Sequence, residues 1–109
     1  MEPLLPAIEV ATNDDPQFAV IWMHGLGADG SDFEPVVPEL GLAGDPGVRF
    51  IFPHAPSIPV TCNGGYVMPA WYDIISLEST SRRVDEAGIV ISREAIRRLI
   101  ERENQRGIP

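Results

Sequence analysis

The glycine-rich stretch His24–Gly30, with the sequence HGLGADG, carries the residue types best suited to chemistry. It follows six consecutive apolar residues, Phe18–Met23, which are typical of a strand buried on both faces of a parallel sheet. Ligands bind just beyond the carboxyl ends of such strands, and glycine lets them approach peptide N–H groups closely. Because a backbone N–H aimed at a developing oxyanion promotes acyl transfer, the stretch is interpreted as half of an oxyanion hole.

Three further motifs follow it along the chain: Pro53–Pro56 (PHAP), Asn63–Tyr66 (NGGY) and Trp71–Asp73 (WYD). In this order and spacing, the four motifs resemble the bacterial carboxylesterase and acyl-protein thioesterase family, over about Phe18 to Pro109. The resemblance implies an α/β fold, the N-terminal half of an α/β-hydrolase three-layer sandwich with a mostly parallel sheet between helices. It also implies a serine carboxylesterase that hydrolyses carboxylic esters or thioesters. The alternative is a generic glycine-rich turn in an unrelated α/β protein.

The resemblance also assigns roles to single residues. Leu26 matches the position whose backbone N–H donates to the oxyanion, and Asp29 and Phe33 support that loop. The positions that shape or line the substrate pocket are Gly25, Gly27, Asn63, Gly64, Met68 and Trp71.

The nucleophile of that family, which lies in a G-x-S-x-G turn, has no counterpart here, because none of the six serines has glycines two residues away on both sides. Residues 1–109 are therefore expected to be the N-terminal part of one domain, without the triad and inactive alone. The expected partner is the missing C-terminal half as a second chain, or else a second copy. The alternative function is a truncated, non-catalytic binding or interaction module.

Two histidines and one cysteine remain as alternative catalytic groups. The resemblance makes His24 a structural residue that orients the loop, and His54 is interpreted as a loop residue instead of a general base. Cys62 is interpreted as a small loop residue instead of a nucleophile activated by histidine. Asp73 and Asp85 are expected to support the fold or to be solvated. These residues have no metal-ligand spacing, and neither a metal nor a cofactor is expected.

Composition excludes several classes of function. The chain of 109 residues has a formal net charge of −8, which argues against binding to nucleic acid or to anionic membrane surfaces. No apolar run reaches the roughly 18–20 residues of a membrane-spanning helix, and no signal peptide is visible. The single cysteine cannot form an internal disulfide, so a cytoplasmic location is expected.

The N-terminal elements must position the glycine-rich stretch. Ala7–Val10 is predicted to be an edge strand that forms a hairpin with the central strand Phe18–Met23. Ser31-x-x-Glu34 has the capping-box pattern and predicts a helix start, with Asp32 as a competing cap. Pro38 predicts that this helix is short or irregular and ends near Leu40–Leu42.

The remaining elements are a strand, a long loop and a helix. Val48–Phe52 is predicted to be a strand, and Pro53–Asp73 a long loop that forms a pocket wall beside the glycine-rich stretch. The pattern over Val84–Arg106 predicts a helix that is capped within Ser79–Ser81 and ends at Gly107. Its predicted apolar face consists of Val84, Ala87, Ile91, Ala95 and Leu99, widened by Ile96 and Ile100. The seam with the missing half is expected along the sheet edge next to Val48–Phe52 and over this helix face.

Overall fold

The computed structural model describes residues 4–42, 44, 46–74 and 85–109 and contains a three-stranded sheet. Its strands are β1 (Ala7–Ala11), β2 (Pro16–Ile21) and β3 (Gly47–Pro53), in the order β1-β3-β2. β3 runs antiparallel to β1 and parallel to β2, so this part of the sheet is mixed and not mostly parallel as predicted.

The strand order confirms the edge position of β1 but corrects three other predictions. β3 lies between β1 and β2, so the predicted hairpin of the first two strands is wrong. The strand at Val48–Phe52 is paired on both sides, so the seam predicted along its edge is also wrong. β2 has a free edge, and Phe18 is 54% exposed, so β2 is not buried on both faces within the described residues.

Two short 3-10 helices cover one face of the sheet, at Gly30–Asp32 and Glu34–Leu40. Pro38 lies inside the second helix, which ends at Gly41 in a left-handed conformation, as expected for a short, irregular helix. The first helix is capped by Asp29, not by Ser31, because the Asp29 carboxylate accepts from the Ser31 N–H while Asp32 reaches back to the Asp29 N–H.

The hydrophobic core lies between these helices and the sheet. Val37 packs against Phe50 and Phe52 of β3, and all three side chains are buried. The partly buried residues that surround this cluster are Ile8, Val10, Trp22 and Val48. The alternation along β3 sends Arg49 and Ile51 to the opposite face, so the two sheet faces are covered by different elements.

Helix α1 (Glu86–Gln105) covers that opposite face, where its Glu103 binds Arg49 of β3. Asp85 caps it by accepting from the Gly88 N–H at 3.0 Å, whereas the cap predicted within residues 79–81 lies outside the described residues, as does Val84. The predicted end at Gly107 is confirmed. There the Gly107 and Ile108 N–H groups donate to the Asn104 and Glu103 carbonyls, as in a Schellman motif.

The buried face of α1 confirms Ala95 and Leu99 of the predicted apolar face but not Ala87 or Ile91. Its members are Ser92, Ala95, Leu99 and Glu103. Ala87 is exposed and Ile91 is 66% exposed. Two of these residues are polar: Glu103 forms an ion pair with Arg49 of the sheet, and the Ser92 hydroxyl donates to the Trp71 carbonyl. The spacing of apolar residues does not reveal such polar contacts.

The segment predicted as a long loop contains a second, two-stranded sheet. β4 (Ser57–Val60) and β5 (Tyr66–Pro69) pair antiparallel and are joined by a 3-10 helix at Thr61–Asn63. Gly64 and Gly65 both have positive φ angles, which lets the chain reverse between the strands. No α-helix in the described part of the chain has the length and apolar character needed to cross a membrane.

Candidate active site

The glycine-rich stretch forms a tight turn, the Gly25–Ala28 turn, directly beyond the end of β2. The Ala28 N–H donates to the Gly25 carbonyl at 3.2 Å, and Gly27 has a φ angle of 75°. This geometry is typical of a type II turn with Leu26 at its first central position. The Leu26 N–H has no hydrogen-bond partner among the described residues, and Leu26 is 46% exposed. Among the described residues, the Gly25 N–H also lacks a partner, so the turn offers two backbone donors, of which Leu26 is the one that the family resemblance assigns to the oxyanion.

His24 holds the start of this turn with both of its ring nitrogens. The ring is 4% exposed, and its Nε2 accepts from the Ala55 N–H at 3.0 Å. Because Nε2 is the acceptor, the proton lies on Nδ1, which is 2.7 Å from the Gly25 carbonyl oxygen and donates to it. Neither nitrogen is free to act as a base, which supports the interpretation of His24 as an orienting residue.

His54 holds the other end of the glycine-rich stretch. Its Nδ1 accepts from the Gly30 N–H at 3.0 Å, so the neutral ring carries its proton on Nε2. His54 follows the last residue of β3, and Gly30 follows the turn after β2. The parallel pairing of these strands brings the two loops together at one end of the sheet. Sequence analysis missed this link, although the two motifs both follow predicted strands.

The segment that contains β5 forms a wall beside the turn, as predicted. The Gly27 N–H donates to the Pro69 carbonyl at 2.9 Å, and a side chain at Gly27 would place its Cβ 3.9 Å from the Met68 sulfur. The Asn63 side-chain amide lies 3.7 Å from the same sulfur. The structure thus brings Gly27, Met68 and Asn63 together. Gly64 is exposed at the tip of the hairpin.

Trp71 joins this wall to the turn and to α1. Its indole Nε1–H donates to the His24 carbonyl at 2.8 Å, and the two rings lie 5.2 Å apart between centroids. The Ser92 hydroxyl of α1 donates to the Trp71 carbonyl. Trp71 is therefore fixed by contacts on both sides, and it belongs to the same cluster as the turn.

The two aspartates considered as catalytic acids have structural contacts instead. Asp73 accepts from the Thr61 hydroxyl and from the Thr61 N–H at 2.8 Å. The hydroxyl contact in particular holds the pKa of Asp73 below its ordinary value. Asp85 caps α1 and also accepts from the Asp73 N–H at 2.8 Å, so the prediction that both support the fold is confirmed.

Neither Cys62 nor Asp29 forms a second reactive centre with its described neighbours. Cys62 is a half-buried free thiol whose sulfur lies 4.0 Å from the Asn63 side-chain oxygen. The Asp29 carboxylate is occupied by Ser31, whose hydroxyl and N–H hold its pKa below the ordinary value. Phe33 stacks on Trp22 at 5.2 Å between ring centroids, which anchors the helix that follows the turn. No group of three metal-binding side chains exists in the described ranges.

A separate cleft of about 490 Å³ lies between β1 and the 3-10 helix at Glu34–Leu40. Its lining is mostly apolar and includes Val10, Val37 and Leu42, whereas its Thr12 hydroxyl already accepts from the Val48 N–H at 2.9 Å. The cleft contains no residue of the Gly25–Ala28 turn. The donor and the aromatic wall therefore make the turn the better candidate for chemistry.

The chain is similar to known proteins over nearly its whole length. The phospholipase/carboxylesterase family matches residues 6–109. Acyl-protein thioesterase 1 of Candida albicans is 40% identical, with 94% of this chain and 46% of the relative covered. Acyl-protein thioesterase 1 of Debaryomyces hansenii is 36% identical, with 94% and 47% covered. A probable carboxylesterase of Oryza sativa is 37% identical, with 97% and 40% covered.

Solved structures of two similar proteins superpose on most of this chain. Zea mays acyl-protein thioesterase 2 superposes with a TM-score of 0.76 at 27% identity, over 88% of this chain and 40% of that one. Arabidopsis thaliana SOBER1 superposes with a TM-score of 0.73 at 30% identity, over 86% and 45%. The chain therefore spans less than half the length of the relatives that it matches.

Proposed function

This chain belongs to the phospholipase/carboxylesterase family, and we propose that it forms the N-terminal half of a serine hydrolase that cleaves carboxylic esters or related thioesters. The observation that carries the proposal is the Leu26 N–H, which has no hydrogen-bond partner in the described part of the chain and lies in a stretch held from both ends. The names of the thioesterase and carboxylesterase relatives support the substrate class.

In the proposed reaction, a histidine of the other half takes the proton of a serine hydroxyl in that half, and the serine oxygen bonds to the acyl carbonyl carbon while the carbonyl π electrons move to the carbonyl oxygen as negative charge. The Leu26 N–H donates to that oxygen, and the residue after the serine supplies the second N–H. When the carbonyl re-forms, the ester C–O or thioester C–S bond breaks and the leaving group takes the proton from the histidine. Gly25 and Gly27 give the turn its shape without side chains that would block the approach of substrate. Loss of one such donor typically costs about 2.7–4 kcal/mol of transition-state stabilisation.

The wall beside the turn is proposed to hold the acyl group. Met68 and Trp71 offer apolar and aromatic surface next to the turn, and Asn63 contacts Met68 from the hairpin side. Gly64 is proposed to let this hairpin approach the substrate closely. An apolar wall with few polar groups is typical of sites that bind hydrophobic ligands.

The proposed partner is the missing half, which adds a parallel strand to the free edge of β2 and completes the three-layer domain. A right-handed crossover from β3 through α1 carries the next strand past β2 to this edge. Phe18 on β2 and Ile91 on α1 are 54% and 66% exposed, and they would become buried there. The strand would end beside the Gly25–Ala28 turn, where its serine could meet the Leu26 N–H.

Complementation tests this function. This chain is co-expressed with the remaining half of Candida albicans acyl-protein thioesterase 1, and hydrolysis of an aryl ester and of an acyl thioester is measured. We expect turnover by the assembly, none by the chain alone, and none when the serine of the companion's G-x-S-x-G turn is replaced by alanine. Turnover by the isolated chain that Cys62→Ala or His24→Ala abolishes would contradict the proposal.

The same experiment distinguishes the alternative function. If the 109-residue chain is a soluble, cooperatively melting monomer that gains no activity with the companion, a non-catalytic binding or interaction module is the better description. If it is insoluble or self-associated until the companion is present, the half-domain is supported. Self-association through the free edge of β2 would appear in sedimentation as a dimer that the companion dissociates.

We also propose a reducing, cytoplasmic location. The free thiol of Cys62 supports it, since unpaired cysteines are common where thiols are kept reduced. Fractionation of source cells, followed by detection of the chain in the soluble cytoplasmic fraction, would test the location.

A further inference from the structure

We infer that His54 is a positioning residue for the proposed oxyanion donor, and that it acts with His24 as a reciprocal histidine clamp. The clamp consists of two bonds that cross between the same two loops: Ala55 N–H to His24 Nε2, and Gly30 N–H to His54 Nδ1. Each loop provides one imidazole and one backbone N–H. The inference rests on the proposed function only where catalysis is concerned, because the two bonds exist independently of it.

The clamp requires the two imidazoles to be opposite tautomers. His24 accepts through Nε2 and donates from Nδ1 to the Gly25 carbonyl at 2.7 Å. His54 accepts through Nδ1, so its proton lies on Nε2. Only a neutral ring has an acceptor nitrogen, so both rings are neutral when the clamp is closed. Opposite tautomers at two neighbouring loops are a distinctive property that can be measured.

The clamp holds the turn that carries Leu26 from both sides. His24 binds the Gly25 carbonyl immediately before Leu26, and His54 binds the Gly30 N–H four residues after it. Gly30 is buried so tightly that a Cβ on it would lie 2.4 Å from the Phe52 carbonyl oxygen and 3.1 Å from His54 Cε1. The backbone of the stretch is therefore seated on the end of β3 and on the His54 ring, and this fixes the direction of the Leu26 N–H.

Three substitutions separate the acceptor of His54 from its bulk. Asn places its side-chain oxygen the same number of bonds from the backbone as Nδ1, whereas the oxygen of Gln is one bond further away. Phe keeps the ring but has no acceptor. In the complemented assembly, we expect His54→Phe and His54→Gln to lower kcat by about 10- to 100-fold, with KM nearly unchanged, because the donor is misplaced in the transition state. We expect His54→Asn to recover most of kcat.

A spectroscopic measurement tests the clamp without relying on activity. This chain is labelled with ¹⁵N-histidine and ¹⁵N-glycine, assembled with the unlabelled companion half, and studied by long-range ¹H–¹⁵N correlation. We expect the His24 proton on Nδ1 and the His54 proton on Nε2. We also expect the Gly30 amide to exchange at least about tenfold faster in His54→Phe than in wild type, because its acceptor is lost.

The outcomes separate the two proposals. Opposite tautomers in an assembly without esterase activity would support the clamp and count against the proposed function. An active assembly in which the Asn, Gln and Phe variants of His54 have equal kcat would overturn the positioning role. Rings with the same tautomer, or averaging between tautomers, would overturn the clamp itself.

Discussion

Replacement of Gly30 by alanine tests how closely the glycine-rich stretch must lie against β3. The added Cβ would stand 2.4 Å from the Phe52 carbonyl oxygen, whereas ordinary contact begins near 3.4 Å. The backbone around Gly30 must therefore move by about 1 Å, since a carbonyl within β3 cannot yield easily. A misplacement of that size can lower the rate by about 100-fold, or about 2.7 kcal/mol. Overpacking should also lower the free energy of unfolding by about 1–3 kcal/mol.

The assay uses the complemented assembly, with kcat measured on an aryl ester and unfolding followed by calorimetry. Gly44→Ala is the matched control, because its Cβ would meet no atom within 4 Å and its φ angle is not positive. We expect kcat to fall in Gly30→Ala and to be unchanged in Gly44→Ala. If Gly30→Ala has the kcat and melting temperature of wild type, the stretch does not lie against β3 as described and the reasoning is refuted.

Three further substitutions test other parts of the account. Leu26→Pro should lower kcat by about 10²–10³-fold, because proline lacks the N–H that donates to the oxyanion. Its free energy of unfolding should change little, because proline suits the first central position of a type II turn. A folded variant with near-normal kcat would exclude Leu26 as the oxyanion donor. Ile91→Asp should prevent assembly with the companion half, as measured by sedimentation. It should hardly lower the stability of the chain alone, because Ile91 is 66% exposed. Normal assembly of this variant would show that the interface between the halves lies elsewhere. The hydrogen bond from Arg106 holds the pKa of Glu9 below its ordinary value of 4.5. Glu9 therefore stabilises the fold above about pH 4.5, and this contribution is lost as the pH falls through the lower folded-state pKa. In denaturant titrations at several pH values, Glu9→Gln should therefore lose less stability on acidification than wild type, and equal losses would contradict this.

Much of the local structure could be predicted from sequence. The strands β1 and β3, the irregular helix ended by Gly41 and the end of α1 at Gly107 all follow from patterns within a few residues. The sequence pattern predicts Ser31 as the cap of the first 3-10 helix, but Asp29 caps it, because the two other acceptors Asp29 and Asp32 lie within one turn of Ser31. Local sequence patterns therefore predict where such a helix lies, but they predict its first residue less accurately.

The candidate site could be predicted in part. That the segment with Met68 and Trp71 lies beside the glycine-rich stretch follows from both segments coming after strand ends, and the contacts to Gly27 and His24 confirm it. The hydrogen bond from Gly30 to His54 was not predicted. This bond requires Nδ1 of His54 to lie next to the N–H of Gly30, which is 24 residues away in the chain. Residue types alone do not indicate such a long-range contact.

Residue types along the chain are enough to show which side chains could do chemistry and which local conformations they favour. Glycine at position 27 permits the positive φ angle of the turn. The apolar run before it favours a strand, whichever strand it pairs with. The packed fold is needed to show that β3, and not β2, is the inner strand of the described sheet and that α1 turns Glu103 inward toward Arg49. The physical reason is that strand pairing and buried ion pairs join residues far apart in the chain. Their free energy depends on the whole packed arrangement, so many pairings are compatible with the same local pattern.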